Sequence, residues 1–157
     1  MRIYLAQHGL AMAREQDPTR PLSAQGREDV TRCAGFLSLF EKPRPVRIMH
    51  SGKLRAEQTA RMFAEAWGVA HVCAVPGLAP KDDPHPWRAR LQDMREDVML
   101  VGHLPFLQRL LGLLLCGNDA HDPVRMRPGG VLCLERSKDV WQLLWYIYPA
   151  LFYGEDD

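Results

Sequence analysis

Short, continuous apolar runs alternate along the chain with longer segments in which apolar residues recur every three or four positions. The short runs are typical of buried strands, and the recurring spacing is typical of amphipathic helices. The runs predict strands at 2–6, 46–50, 71–75, 97–102, 131–135 and 141–148. The segments between them predict helices that begin near Ser23, Ser51, Pro86 and Pro105, the two serines as N-caps.

This order of elements predicts an α/β fold with three layers, α/β/α, in which helices cover both faces of a mostly parallel sheet. Residues 1–157 contain no internal repeat and no linker composition, so we predict a single domain. Ligands of such sheets bind outside the carboxyl ends of the strands. Three segments with reactive side chains follow predicted strands: His8 follows the first, 51–55 the second, and His103 the strand at 97–102.

The side chains in these segments suit phosphate chemistry. A neutral imidazole such as His8 is nucleophilic near neutral pH, and the helix start at His103 favours anions. Arg55 has a guanidinium that can bind a phosphate through two hydrogen bonds, and Arg20 precedes a helix cap. Each residue alone is explained as well by an ordinary loop histidine or surface arginine. Their shared place at strand ends favours a common anion site.

Four segments together resemble a known family. They are Gln7-His8-Gly9, Arg20-Pro21-Leu22-Ser23, Ser51-x-x-x-Arg55-Ala56-x-Gln58-Thr59 and Val101-Gly102-His103-Leu104-Pro105. In this order they resemble the histidine phosphatase superfamily, which is phosphoglycerate mutase-like. The Arg-Pro-Leu and Leu-Arg-Ala-Glu-Gln-Thr segments are similar to its SixA-type protein-phosphohistidine phosphatase branch. The resemblance covers the chain from its start to about residue 107.

The resemblance implies a histidine phosphatase-like fold and an enzyme that hydrolyses phosphoryl groups from a protein histidine. His8 would accept the phosphoryl group and form a covalent phosphohistidine. Arg55 and His103 would bind the phosphate and act in catalysis, and Gln7 and Arg20 would also line the phosphate pocket. No metal and no cofactor is implied, and the six histidines separately show no metal-ligand spacing. Two alternatives stay open: a small-molecule phosphomonoesterase, and a weakly active or inactive phosphate-binding module.

The phosphate-binding alternative rests on Gln7, because the family's opening motif is Arg-His-Gly and glutamine has no charge. Loss of one strong transition-state donor costs about 3 kcal/mol, on the order of 100- to 1000-fold in rate. Lys53 and Arg20 are candidates to replace the missing charge. Asp82 and Asp83 are candidate general acids, Asp83 foremost, although a phosphohistidine has a good leaving group and needs less acid assistance than an alkyl ester.

Composition narrows the class of partner. The formal net charge is +1, which favours neither nucleic acid nor a membrane surface as a partner. The longest apolar stretch, near 110–116, is too short to span a bilayer. The four cysteines form no Cys-x-x-Cys pair, and charged residues interrupt any signal-peptide pattern near the start. We therefore expect a cytoplasmic protein whose partner is a phosphohistidine-containing protein or a small phosphorylated substrate.

Overall fold

The computed structural model describes residues 1–40, 42 and 44–154. The strands are β1 (Arg2–Gln7), β2 (Arg47–His50), β3 (His71–Ala74), β4 (Val98–Gly102), β5 (Val131–Ser137) and β6 (Val140–Ile147). The helices are α1 (Ala24–Phe40), α2 (Leu54–Trp67), α3 (His85–Asp93) and α4 (Phe106–Cys116). All the predicted strands and helices are present, and a short 3-10 helix at Pro149–Phe152 is additional.

The six strands form one sheet in the order β3-β2-β4-β1-β5-β6. Strands β3, β2, β4 and β1 run parallel, β5 is antiparallel to β1, and β6 is antiparallel to β5. The prediction of a mostly parallel α/β sheet is therefore confirmed. Because Gln7 of β1 pairs with Gly102 of β4, the residues that follow these two strands leave the sheet side by side.

Strand β1 is buried on both faces, which explains its continuous apolar run. Ile3 and Leu5 pack into one core with residues of α3 and α4. Tyr4 and Ala6 pack into a second core with residues of α1 and α2. Two helices thus cover each face of the sheet, giving the predicted three layers. Within the part of the chain that the structure describes, no helix has the length and apolar character needed to cross a membrane.

The start of α1 packs closely against the loop that follows β1. Ser23 caps this helix as predicted, because its Oγ accepts a hydrogen bond from the backbone N–H of Gly26 at 3.0 Å. Gly26 has no room for a side chain, since a Cβ there would collide with the backbone of Leu10. At Gly9, a Cβ would lie 2.9 Å from Val30 Cγ2, so this loop also requires a glycine.

Candidate active site

The adjacent ends of β1 and β4 bring two histidines together. The ring centroids of His8 and His103 lie 4.9 Å apart, and the backbone N–H of His8 donates to the carbonyl of Gly102 at 3.0 Å. The sequence-based expectation that both histidines meet at the carboxyl edge of the sheet is confirmed by this contact.

The surroundings of His8 leave one ring nitrogen free. Its Nδ1 lies 2.6 Å from the carbonyl oxygen of Gly9. A carbonyl only accepts hydrogen bonds, so Nδ1 carries the proton and Nε2 keeps its lone pair. Burial, and to a smaller extent the charges of Arg55 and Arg20, lower the pKa of His8 to about 4 against the opposing bond to Gly9. At neutral pH the ring is therefore uncharged and nucleophilic.

His103 is almost completely enclosed, with 1% of its surface exposed. Burial, followed by the nearby His8 and the charges of Arg55, lowers the pKa of His103 to about 3. Its Nε2 lies 2.6 Å from Ser51 Oγ, and its Nδ1 has no partner. The prediction that Ser51 caps α2 was wrong: the helix begins at Leu54 without a side-chain cap, because Ser51 lies too far ahead of it.

One turn of α2 holds two of the loops around the site. Thr59 Oγ1 accepts a hydrogen bond from the backbone N–H of Gly9 at 3.0 Å and donates to the carbonyl of Arg55 at 2.8 Å. Gln58 Oε1 accepts from the backbone N–H of Leu22 at 2.7 Å. The sequence motif included Gln58 and Thr59 without assigning them a role. Their role is to fix the His8-Gly9 loop and the segment after Arg20 against the helix that carries Arg55.

Positive charge surrounds the two histidines. Arg20 and Arg55 both act on the pKa values of His8 and His103, and Lys53 also acts on His103. Burial, then the charges of Arg20 and Arg14, lower the pKa of Arg55 itself. Sequence analysis missed Arg14, which is exposed and lies in a loop without a recognisable motif. This positive charge suits an anionic ligand. It agrees with the prediction that Arg20 and Lys53 supply charge to the site.

Arg20 reaches its position through an unusual backbone. Its φ of 47° lies in the left-handed region, which is uncommon for a residue other than glycine. Its Nε donates to the carbonyl of Met12 at 3.2 Å, and its backbone N–H donates to the carbonyl of Asp17 at 3.0 Å. Strained backbone of this kind often occurs at binding sites, where neighbouring contacts hold it.

Several predicted site residues carry unpaired polar atoms. Among the described residues, five buried side-chain nitrogen or oxygen atoms have no hydrogen-bond partner. Three of these belong to predicted site residues, namely Gln7 Oε1, Arg55 Nε and His103 Nδ1. Buried polar groups in folded proteins are nearly always paired, so this concentration indicates groups that serve a ligand. An oxyanion would accept hydrogen bonds from Arg55 and His103.

Gln7 is the last residue of β1 and is only 8% exposed. Its neighbour on β4 is Gly102, and on the other side its backbone N–H donates to the carbonyl of Gly130 at 3.2 Å. No side chain therefore flanks Gln7 from either adjacent position. Rotation of its amide by half a turn would exchange the unpaired Oε1 for an NH₂ group that can donate.

Asp83 lies in a different environment. Its Oδ1 accepts from the backbone N–H of His85 at 3.0 Å and contacts His85 Nδ1 at 2.7 Å. These two hydrogen bonds lower the pKa of Asp83, whereas a general acid must keep its proton near neutral pH. Asp82 accepts from the backbone N–H of Ala79 at 2.8 Å and shapes the loop. The general-acid role of Asp83 stays a prediction that its surroundings do not favour.

Over residues 1–40, 42 and 44–154, no three His, Cys, Asp or Glu side chains cluster closely enough to hold a metal ion. The candidate site consists of neutral histidines and cations. Its side chains therefore offer hydrogen-bond donors, positive charge and a free imidazole nitrogen to an anionic ligand.

Comparison with known proteins identifies the superfamily that shares this fold. No family model and no curated protein matches the sequence. Among solved structures, the protein histidine phosphatase SixA complexed with tungstate has a TM-score of 0.85 at 23% identity, over 98% of this chain and 100% of that one. A protein assigned as SixA of Agrobacterium tumefaciens has a TM-score of 0.76 at 24% identity, over 94% and 97% of the two chains. The alpha-ribazole phosphatase of Shigella flexneri has a TM-score of 0.72 at 16% identity, over both entire chains. The chain therefore has the fold of the histidine phosphatase superfamily, as its motifs predict.

Proposed function

We propose that this protein is a phosphatase that works through a covalent phosphohistidine on His8. The observation that carries the proposal is the state of His8: a neutral ring with a free Nε2, 4.9 Å from His103 and beside two unpaired buried donors. The fold supports it, because the SixA structure with a TM-score of 0.85 holds tungstate, a tetrahedral oxyanion like phosphate.

The reaction takes place in two displacements. The lone pair on His8 Nε2 attacks phosphorus, and the bond from phosphorus to the leaving group breaks, so that the leaving group takes the electron pair and acquires a proton from solvent. A water molecule then attacks phosphorus, the bond to Nε2 breaks and returns its electron pair to the ring, and inorganic phosphate and a proton leave. Arg55 and His103 donate hydrogen bonds to the phosphoryl oxygens, which carry the charge in both transition states.

We infer that the substrate is a phosphohistidine on a protein. The leaving group is then an imidazole, which departs without a strong acid, and Asp83 is held in the ionised form that cannot supply one. Arg14 and Lys53 are exposed cations next to the site, and they suit a partner whose surface around the phosphohistidine is acidic. The four cysteines are free, which suits the cytoplasmic location that remains part of this proposal.

Substrate class is tested by phosphate release from three compounds: a phosphohistidine protein, an aryl phosphate and an alkyl phosphate. We expect the rate to fall in that order, since the demand for leaving-group protonation rises in that order. Alkyl phosphate turnover as fast as that of the phosphohistidine protein would contradict the proposed substrate. Absence of release from all three would favour the phosphate-binding module.

The nucleophile is tested by rapid quenching with a substrate that carries a labelled phosphoryl group. We expect His8→Ala to retain no label and to lose turnover, and His103→Ala to become labelled while turning over slowly. His121→Ala is the matched control, because this exposed histidine is outside the site and its loss should change neither measurement. Label retained on the His8→Ala protein would refute the assignment of His8.

A further inference from the structure

Ser51, which lies between a strand and a helix, makes two side-chain hydrogen bonds. Its Oγ lies 2.6 Å from His103 Nε2 and accepts from the backbone N–H of Lys53 at 3.3 Å. Neither bond caps α2, whose first residue is Leu54. Ser51 follows β2, which lies next to β4 in the sheet, so this adjacency brings the hydroxyl to His103.

The directions of these bonds favour one arrangement of the protons. A backbone N–H only donates, so Ser51 Oγ is the acceptor towards Lys53 and its own proton is available to donate to His103 Nε2. In a neutral ring whose Nε2 accepts, the proton is on Nδ1. That nitrogen is the buried atom of His103 without a partner.

We propose that Ser51 is a positioning residue that holds His103 in the Nδ1–H tautomer, so that the neutral ring donates a hydrogen bond to the phosphoryl group. This inference rests on the proposed function of the site. Without the hydroxyl, the ring is free to carry its proton on Nε2, and the lone pair of Nδ1 would then repel a phosphoryl oxygen.

The two imidazole rings, although chemically identical, present opposite hydrogen-bonding groups to the phosphoryl group. The Gly9 carbonyl makes His8 Nδ1 a donor and leaves a lone pair on Nε2. The Ser51 hydroxyl makes His103 Nε2 an acceptor and leaves a proton on Nδ1. One histidine therefore presents an electron pair to phosphorus, and the other presents a hydrogen-bond donor to the oxygens. In the phosphate-free protein, protonation of His103 does not substitute for the correct tautomer, since its pKa is about 3.

The first test is the tautomer itself, measured by nitrogen NMR of the phosphate-free protein labelled at its histidine rings, with His103→Ala used for assignment. We expect protonated Nδ1 and unprotonated Nε2 in His103, and a shift towards protonated Nε2 in Ser51→Ala. Protonated Nε2 in the unaltered protein would overturn the proposal, as would an unchanged His103 spectrum in Ser51→Ala.

The second test is kinetic. We expect Ser51→Ala to lower kcat by about ten-fold or more with a smaller change in KM, because a hydrogen bond to the transition state is lost. Ser51→Thr keeps the hydroxyl and should restore most of the rate, and Ser38→Ala removes a hydroxyl of α1 that donates to the carbonyl of Gly35 and should have no effect. An unchanged kcat in Ser51→Ala overturns the proposal.

The two proposals fail in different ways. Absence of label on His8 contradicts the proposed phosphatase. The NMR measurement tests the role of Ser51 separately, because it needs no turnover. For a protein without turnover, the readout is the affinity for inorganic phosphate. Ser51→Ala should weaken that affinity and Ser51→Thr should keep it, and equal affinity in all three proteins would contradict the role of Ser51.

Discussion

Replacement of Gln7 by arginine should make the enzyme faster. The change puts a guanidinium at the last residue of β1, next to His8, where Gln7 Oε1 is buried and unpaired. One strong transition-state donor contributes about 3 kcal/mol, on the order of 100- to 1000-fold in rate. Arg55 and Arg20 already supply positive charge to the two histidines, so the gain is smaller than this. We expect a rise in kcat of about ten-fold or more.

Strand neighbours without side chains favour the longer side chain at residue 7, whereas burial of this position implies a cost in stability. Gly102 and Gly130 flank Gln7, so neither neighbouring position has a side chain that would block an arginine. The position is only 8% exposed, however, and a buried charge without a partner costs several kcal/mol. We expect a lower Tm than that of the unaltered protein in phosphate-free buffer. Phosphate should restore stability, by about 2.7 kcal/mol at a concentration 100-fold above its Kd.

The assay compares three proteins side by side: the unaltered chain, Gln7→Arg and Gln7→Met, whose side chain has a similar length but no donor. The measurements are kcat, kcat/KM, inhibition by inorganic phosphate, and Tm with and without phosphate. A gain in kcat means that the new donor acts mainly in the transition state, and a gain only in phosphate affinity means that it acts equally in the ground state. Unchanged rate and unchanged phosphate affinity in both variants would refute the reasoning, because residue 7 would then not reach the phosphate.

Two further predictions concern pH and packing. Because the pKa values of His8 and His103 fall from 6.5 to about 4 and about 3, the unfolded chain binds more protons than the folded one in this range. The contribution of these histidines to the free energy of unfolding should therefore be complete above pH 6.5 and fall as the pH drops towards 4, and kcat/KM should stay high below pH 6.5. Urea unfolding and rate profiles over pH 4–8 measure these two quantities. A midpoint of the rate profile at pH 6.5 would contradict these pKa values. Gly26→Ala should destabilise the fold by about 2 kcal/mol or more, because its Cβ would meet the backbone of Leu10, whereas Gly35→Ala on the same helix meets nothing and should be neutral or stabilising by up to about 1 kcal/mol. Equal urea midpoints for these two variants would contradict the packing argument.

Much of the fold could be predicted from the sequence because its central strands are buried on both sides. β1 is apolar from Ile3 to Ala6 and β4 from Val98 to Val101, and each strand ends at a residue followed by histidine. Since all parallel strands have their carboxyl ends at one edge, convergence of His8 and His103 was predictable without the strand order. The 4.9 Å contact between the rings was not, because it depends on β1 and β4 being neighbours in the sheet. Residues 8–97 separate these strands in the chain, and the sequence pattern does not encode which strands pair.

Ser51 shows the limit of local patterns. A serine shortly before a helix is the usual sign of an N-cap, and at Ser23 that interpretation was right. At Ser51 the same pattern led to the wrong partner, because tertiary packing places His103 within 2.6 Å of the hydroxyl. Arg14 was missed for a similar reason, since its effect on Arg55 arises from the path of a loop that contains no motif.

Under the proposed function, the cations of this site act on both the nucleophile, His8, and the substrate. In the phosphate-free protein, the charges of Arg20 and Arg55 oppose protonation of His8, together with the larger effect of burial, and so they keep its lone pair available. The same charges attract a phosphoryl dianion, whose arrival offsets the positive field around the histidines. A carboxylate built into the site would weaken both effects, because it would raise the pKa of His8 and repel the substrate. The location of Asp83 against His85, rather than beside His8, is consistent with this requirement. Under the proposed function, the site gives up assistance to the leaving group, and it therefore suits substrates such as phosphohistidine that need little of it.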